Sequence, residues 1–410
     1  MSRLLRPVLR SLAAAAALAG VVALPSTAAA AQRLESFDLP SAQGNLDLAQ
    51  VKLNKVTSLR ANVLLPDGYD DNPTADWPVV YLLAGIGDNT TGWITSGQIQ
   101  TVAKGLPAII VMPESGKGFL MDWWNGGSRQ GQNWTRYILD EVVPTIEQRY
   151  RVRPGRQNHA MGGVSMGGYG ALLLGGQLPG YFGTIVSLSG LVDSQNPESY
   201  AALPSSVSAP SYEAIWGPVG GAYATVSNPM KTVENVASSR VYLHTGNGIP
   251  DVTFPFNIDA WTKGAVIESF AFGQNVRYAG VLLGAGVEHT FKVRVGVHDW
   301  PYWRRELPPA ISWGLFKAPR VTASTGASRW LYKTMAPHGN AWGIGYRFAE
   351  PTVNAVTIER DGNAVKATGT GTITINPGAA DWDASGAGSK PECSFTATMP
   401  VVRTLPAGCL

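Results

Sequence analysis

The chain has 410 residues, of which 45% are hydrophobic and 15% charged, and its 32 Lys and Arg against 29 Asp and Glu leave a net charge of +3. So apolar and weakly charged a composition excludes an intrinsically disordered chain, and the dispersed cations, with no basic stripe among aromatics, exclude nucleic-acid binding. The length allows about two domains and a sizeable core.

Arg3, Arg6 and Arg10 precede an apolar run from Leu12 to Leu24, and Ala28, Ala29, Ala30 and Ala31 follow as small residues suited to cleavage. The pattern predicts a secretory signal peptide over residues 1–31, its apolar run being too short for a comfortable membrane anchor. No later stretch is long and apolar enough to cross a bilayer. The working chain is therefore expected to be secreted or held in the cell envelope, without a transmembrane anchor once the signal is removed.

From residue 32 to Pro319, short apolar runs alternate with helical patterns, as a sheet flanked by helices requires. Strands are expected at Val79–Leu83, Ala108–Met112, the segment entering Ser165, Thr184–Leu188 and Val241–Leu243. Most are rich in β-branched residues and each ends at a Gly, Pro or Ser turn signal, which suits buried parallel strands. Trp134 to Tyr150 and Tyr169 to Gln177 read as helices. The order predicts an α/β class, an α/β-hydrolase fold with a mostly parallel sheet and functional loops where the strands end.

Within it, Gly163-Val164-Ser165-Met166-Gly167 has the pattern of a nucleophile elbow, a strand, a sharp turn and a small-residue helix. Glycines two before and two after Ser165 allow backbone approaches that larger residues would block, leaving the hydroxyl on the tip of the turn. The Met166 backbone N–H, at the start of the helix, is aimed toward a developing oxyanion.

A serine nucleophile needs a base, and five histidines are available. His159 lies on the strand feeding the elbow, His338 in the C-terminal region, and His244 and His289 have structural alternatives. His298, after the last expected strand and flanked by Trp300, Tyr302 and Trp303, occupies the place in chain order where this fold carries its base. The acid that orients the imidazole should lie between Ser165 and His298. Asp251, Asp259 and Glu268 compete, with Asp251 and Glu268 of similar weight: Glu268 sits in an otherwise apolar segment and Asp251 follows the turn Gly246 to Pro250.

Past Lys317-Ala318-Pro319 the texture turns to Gly, Thr, Ala and Ser with alternating segments such as Ala355–Glu359 and Gly371–Ile375. Residues 320–410 are expected to form a small β-rich domain, since Trp330, Tyr332, Trp342, Tyr346 and Trp382 ask for a core. Its two cysteines, Cys393 and Cys409, are close in sequence in an exported chain and are expected to form a disulfide.

From about Leu59 to Trp313 the chain resembles the antigen 85 mycolyltransferases and their corynebacterial relatives, within the esterase D group of α/β hydrolases. The resemblance rests on islands in the right order: Tyr81 to Ile86, Asp122-Trp123, Gly163 to Met166, Ser189-Gly190-Leu191, Trp216-Gly217-Pro218 with Asn228-Pro229, Gly246-Asn247-Gly248, and His298 to Trp303. It implies Ser165 as nucleophile, His298 as base and Glu268 as acid, with Asp251 in reserve. It also implies an oxyanion hole from the backbone N–H groups of Ile86 and Met166, and a substrate groove including Asp122, Trp123 and Trp300.

Two departures stand out. Where the family usually has Asp-Gly-Leu-Arg after the first core strand, this chain has Ala84-Gly85-Ile86-Gly87, without the carboxylate and guanidinium associated with the sugar, Asp88 being the candidate substitute. Gly126 to Gly131 replaces a cysteine pair of the mycobacterial members.

The chemistry expected is two-step acyl transfer through a Ser165 acyl-enzyme, which needs no metal and no organic cofactor. By resemblance the donor is the glycolipid trehalose monomycolate and the acceptor trehalose or cell-wall arabinogalactan, with cell-wall association. A transferase needs a water-poor groove, which Trp123, Trp124, Phe254, Phe256, Trp261 and Trp300 could wall. The alternatives are a secreted carboxylesterase with water as acceptor, and a largely non-catalytic wall-binding protein.

Overall fold

The computed structural model describes residues 31–47, 56–129, 131–206, 209, 211–319, 328–386, 388 and 390–410. The predicted signal peptide falls almost wholly outside the described residues. Among the described residues, no helix is long and apolar enough to cross a membrane.

Eight strands form the central sheet: β1 (Arg33–Asp38), β2 (Arg60–Leu65), β3 (Val79–Leu83), β4 (Ile109–Pro113), β5 (His159–Val164), β6 (Thr184–Leu188), β7 (Arg240–Gly246) and β8 (His289–Arg294). Their order is β1-β2-β4-β3-β5-β6-β7-β8. From β4 to β8 all neighbours are parallel, while β1 and β2 add an antiparallel edge. The mostly parallel sheet expected from the apolar runs is thus present. β3, β4, β5, β6 and β7 are buried at every position, because helices cover both faces and leave no solvated side to alternate with.

Three helices matter for the site: α1 (Met166–Gln177), α2 (Ala265–Gly284) and α3 (Trp300–Gly314). The helix expected from Trp134 to Tyr150 is a run of three segments, Trp134–Arg136, Tyr137–Val142 and Val143–Arg149, the middle one a π-helix. One apolar core lies under one sheet face, where Tyr81, Val111 and Met161 meet Trp134, Tyr137 and Leu174. A second lies under the other, where Val80, Ile110 and Val186 meet Trp93, Trp303 and Leu307.

Beyond the stretch that contains residues 320–327, outside the described residues, eight antiparallel strands follow: β9 (Arg329–Thr334), β10 (His338–Ala341), β11 (Ile344–Phe348), β12 (Val356–Asp361), β13 (Ala364–Thr368), β14 (Thr372–Pro377), β15 (Phe395–Thr398) and β16 (Val401–Thr404). They form two four-stranded sheets, β10-β11-β14-β15 and β16-β13-β12-β9. Trp330, Tyr332, Tyr346, Ile358, Ile373 and Ile375 fill a core of their own, and Cys393 is bonded to Cys409. This region packs on the central sheet's helices through apolar residues, Ala384 and Trp382 joining the first core and Met335 the cluster around Phe119, Tyr169 and Trp216, and through polar contacts. Arg136 Nη1 donates to the His338 carbonyl at 3.0 Å, Asn235 exchanges bonds of 2.9 and 2.8 Å with the Lys333 backbone, and the Arg156 guanidinium stands 4.4 Å over the Trp342 ring.

Candidate active site

Ser165 sits between β5 and α1 with φ of 55° and ψ of −120°, a conformation that L-residues rarely adopt. The strain holds only because the neighbours on either side lack side chains. A Cβ on Gly163 would lie 2.2 Å from the Gly167 carbonyl oxygen, and one on Gly167 would lie 2.3 Å from the Leu83 carbonyl oxygen. The elbow is therefore written into the local sequence, and it lifts the Ser165 hydroxyl out of the end of the sheet.

His298 lies in the loop between β8 and α3. Its Nε2 is 2.6 Å from Ser165 Oγ, and its Nδ1 is 2.6 Å from Glu268 Oε2. Glu268, on the first turn of α2, is fully buried. Its other oxygen, Oε1, accepts from Ser189 Oγ at 2.6 Å, from Thr245 Oγ1 at 3.0 Å and from the Gly246 backbone N–H. Burial alone pushes a carboxyl up. Here the hydrogen bond and charge of His298, with the Ser189 and Gly246 donors, outweigh it and hold Glu268 below the usual carboxylate range.

The other competing acids are placed differently. Asp251 is bound by Arg305 Nη1 at 2.9 Å and by Thr253 Oγ1 at 2.7 Å, and Asp259 pairs with Lys263 at 3.4 Å. The remaining histidines are also engaged away from Ser165. His159 stacks on Tyr181 with ring centres 4.0 Å apart, His289 Nδ1 is 2.9 Å from the Val287 carbonyl, and His338 Nε2 is 2.8 Å from Asp140 Oδ2. His244 is buried with its Nε2 3.5 Å from Glu306 Oε2. Burial pushes the imidazoles of both His159 and His244 down to about 4.

A cavity of about 660 Å³ opens at Ser165 and His298. Ile86, Phe119, Leu191, Val266, Ile267, Phe270 and Trp300 make its walls predominantly apolar, and Ile86 and Met166, the two expected oxyanion donors, line it beside the serine. Met166 begins α1, so its N–H has no carbonyl partner within that helix. Asp88 lines the same cavity. Both of its carboxylate oxygens lie within 3.3 Å of Trp300 Nε1, and burial raises its carboxyl from the usual value.

The groove expectation needs correction at two residues. Among the described residues that line this cavity, Trp300 is present and Asp122 and Trp123 are not. Asp122 is buried against Arg136, 3.4 Å from its Nε and accepting its backbone N–H at 3.1 Å. It borders a separate cavity of about 200 Å³ between the central-sheet domain and the C-terminal sheets. Trp123 is buried with its Nε1 donating to the Gly118 carbonyl. The apolar wall comes instead mainly from α2 and the Phe119 loop, while Phe254 packs on Tyr302, Phe256 on Trp261 and Trp124 on Tyr223.

Sequence reasoning missed the support beneath the acid. Ser189, at the end of β6 with φ of 51°, donates to Glu268 and accepts from Trp303 Nε1 at 3.0 Å, and the Trp303 ring meets the His298 ring edge to face at 4.9 Å. A serine followed by glycine at the carboxyl end of a parallel strand was the available signal.

Over residues 56–313 the chain matches the model of the Esterase family, described as "Putative esterase". An esterase of Mycobacterium tuberculosis is 30% identical over 200 residues, 46% of this chain and 43% of the relative, so the chain spans less than half that protein's length. The diacylglycerol acyltransferase/mycolyltransferase Ag85B of Mycobacterium leprae is 28% identical over 262 residues, 59% of this chain and 78% of the relative. Among solved structures, Mycobacterium tuberculosis MPT51 aligns with a TM-score of 0.53 at 20% identity, covering 70% of this chain and 99% of the other. The fluorophosphonate-binding serine hydrolase F of Staphylococcus aureus aligns with a TM-score of 0.54 at 19% identity over 70% and 99%. These two share the fold.

Proposed function

The chain belongs to the Esterase family and is an esterase- or acyltransferase-type serine hydrolase, and from that premise we propose that it is an exported mycolyltransferase. It takes a mycolyl group from trehalose monomycolate and passes it through a Ser165 acyl-enzyme to trehalose or cell-wall arabinogalactan. The observation that carries this reading is the wide, predominantly apolar cavity that opens at Ser165. A long acyl chain needs such a wall, and an acyl-enzyme that must outlast water needs the exclusion it provides.

In this mechanism His298 Nε2 takes the Ser165 proton as Oγ attacks the donor's ester carbonyl, and Glu268 fixes the tautomer and stabilises the imidazolium. The Ile86 and Met166 N–H groups receive the oxyanion, each worth about two to three orders of magnitude in rate. The tetrahedral intermediate collapses, expelling the first sugar's hydroxyl with the proton from His298. The acceptor hydroxyl then attacks the acyl-enzyme, giving its proton to His298, and Ser165 leaves with it.

A secreted carboxylesterase is the second reading. It is favoured by Ala84-Gly85-Ile86-Gly87, a loop that brings neither carboxylate nor guanidinium to the cavity until Asp88. Purified protein with trehalose monomycolate separates the two. Trehalose dimycolate that vanishes in Ser165→Ala establishes the transferase, free mycolic acid alone establishes the esterase, and neither product removes both assignments of substrate.

A further inference from the structure

The C-terminal sheets meet the central-sheet domain along a further cleft, of about 170 Å³, that shares no lining residue with the Ser165 cavity. Glu234, Asn235 and Ser238, ahead of β7, line one side, and Trp330 and Leu331 of β9 with Trp342 line the other. The aromatic side lies beyond residues 56–313, the part matched to the Esterase family, so the acyl chemistry does not call for it. The cleft also reaches Ala285, which is exposed, and so opens to solvent there.

Two polar atoms buried in its walls have no partner among the described residues. One is a donor, Trp330 Nε1, on a residue only 7% exposed, and the other is an acceptor, Glu234 Oε2. Buried polar groups are costly to leave unpaired, and hydroxyl groups, which both donate and accept, can meet both kinds. The other Glu234 oxygen already binds Lys333 Nζ at 2.8 Å, so the charge of the carboxylate is met locally and the cleft suits an uncharged ligand. β9 is the outer strand of its sheet, and Lys333 turns its backbone N–H and carbonyl away from β12 to Asn235. Leu331, two residues earlier, turns its own pair to the same side.

Trp342 adds an apolar platform at a conformational cost. With Gly343 it makes the two-residue turn between β10 and β11, at φ of 54° and 73°, where Asn, Asp or Gly is the usual occupant. An indole kept in the left-handed region marks a place where the side chain outweighs the preference of the backbone. The Arg156 guanidinium, 4.4 Å over the ring, holds it in place. An aromatic platform beside unpaired hydrogen-bonding groups fits a pyranose sugar, whose C–H face packs on a ring while its hydroxyls reach outward from the rim.

We propose that this cleft is a second ligand site and takes one neutral pyranose unit, its C–H face against Trp342 and its hydroxyls accepting from Trp330 Nε1 and donating to Glu234 Oε2. The site stands independently of the acyl-transfer reading.

The test titrates the full chain with glucose, galactose, mannose and N-acetylglucosamine by calorimetry and saturation-transfer NMR. At least one should bind with a Kd of about 1 mM, the affinity a ligand of this size reaches with a few hydrogen bonds. Trp342→Asn removes the indole while keeping a residue suited to the turn, and Glu234→Gln removes the charged acceptor. Each should weaken binding at least about tenfold and leave ester turnover within about twofold of wild type. Asp88→Asn, in the Ser165 cavity, should leave the sugar Kd within about twofold. No binding of any of the four at about 20 mM, binding that survives both cleft variants, or binding lost in Asp88→Asn overturns the proposal, the last by moving the sugar to the Ser165 cavity. If Trp342→Asn does not fold by near-ultraviolet circular dichroism, Glu234→Gln, at a side chain that is partly exposed, carries the same expectation. The methyl glycoside of each sugar that binds identifies the source: equal affinity supports a unit of a glycan chain, and weaker affinity supports a free sugar in the same cleft.

Discussion

Ser189 Oγ donates to Glu268 Oε1 at 2.6 Å while His298 holds the other carboxylate oxygen at the same distance. The two contacts divide the carboxylate between a fixed support and the imidazole. Trp303, donating to Ser189 and packed against the His298 ring, ties both ends of this chain of contacts together.

Ser189→Ala should leave a buried carboxylate with one donor fewer, a loss of about 1–3 kcal/mol. Glu268 then rises toward the ordinary carboxylate range and holds His298 less firmly. Ester turnover is expected to fall about ten- to a hundredfold in kcat with KM little changed. A KM effect without a kcat effect would show that Ser189 acts on substrate binding instead.

Gly163→Ala should damage the elbow itself. Its new methyl would meet the Gly167 carbonyl oxygen at 2.2 Å, and backbone on backbone has nowhere to give. We expect a loss of at least about 1–3 kcal/mol in denaturant unfolding together with loss of turnover, whereas Gly280→Ala, where a Cβ meets nothing within 4 Å, should be neutral or stabilising.

His159 and His244 predict an acid-sensitive fold. Both are buried as neutral imidazoles with values pushed down to about 4, so the unfolded chain binds more protons than the folded one from pH ~6.5 down to ~4. Stability should therefore be complete above that window and fall as pH drops through it, by up to about 1.4 kcal/mol per pH unit for each group. His159→Gln and His244→Gln should each flatten the slope of unfolding free energy against pH; an unchanged slope in both would mean that the acid sensitivity lies elsewhere.

Truncation after Pro319 tests the proposed boundary between the domains. Among the described residues, those lining the Ser165 cavity all precede Gly314, so turnover per folded molecule should survive. The cut removes the His338 carbonyl from Arg136 and the Lys333 backbone from Asn235 and strips Met335 and Ala384 from the apolar clusters they share with the central sheet's helices, which should lower Tm by several degrees. Loss of turnover in a truncated protein with native circular dichroism would show that the two parts work as one.

What could be read along the chain was what short stretches encode. The apolar runs gave buried strands in parallel order, and the two glycines around Ser165 specified a turn whose contacts are all with nearby backbone or the adjoining strand end, so Ser165 was legible residue by residue. His298 was legible from its position after the last strand. Local sequence left Asp251 and Glu268 level, because the partner of an imidazole is set by folding across long separations. β7, α2 and the β8–α3 loop converge so that Glu268 is buried under His298, with Ser189 brought in from β6 to satisfy it, while Arg305 from α3 claims Asp251 at the surface. The groove was misread at Asp122 and Trp123 for the same reason: a carboxylate or an indole has no address until packing decides whether it meets Arg136 in the interior or a cavity. Backbone conformation and chain order belong to the sequence; the pairing of charges and the walls of the cavity come from the tertiary structure, since burial and long-range hydrogen bonding determine which polar groups are held and which face the substrate.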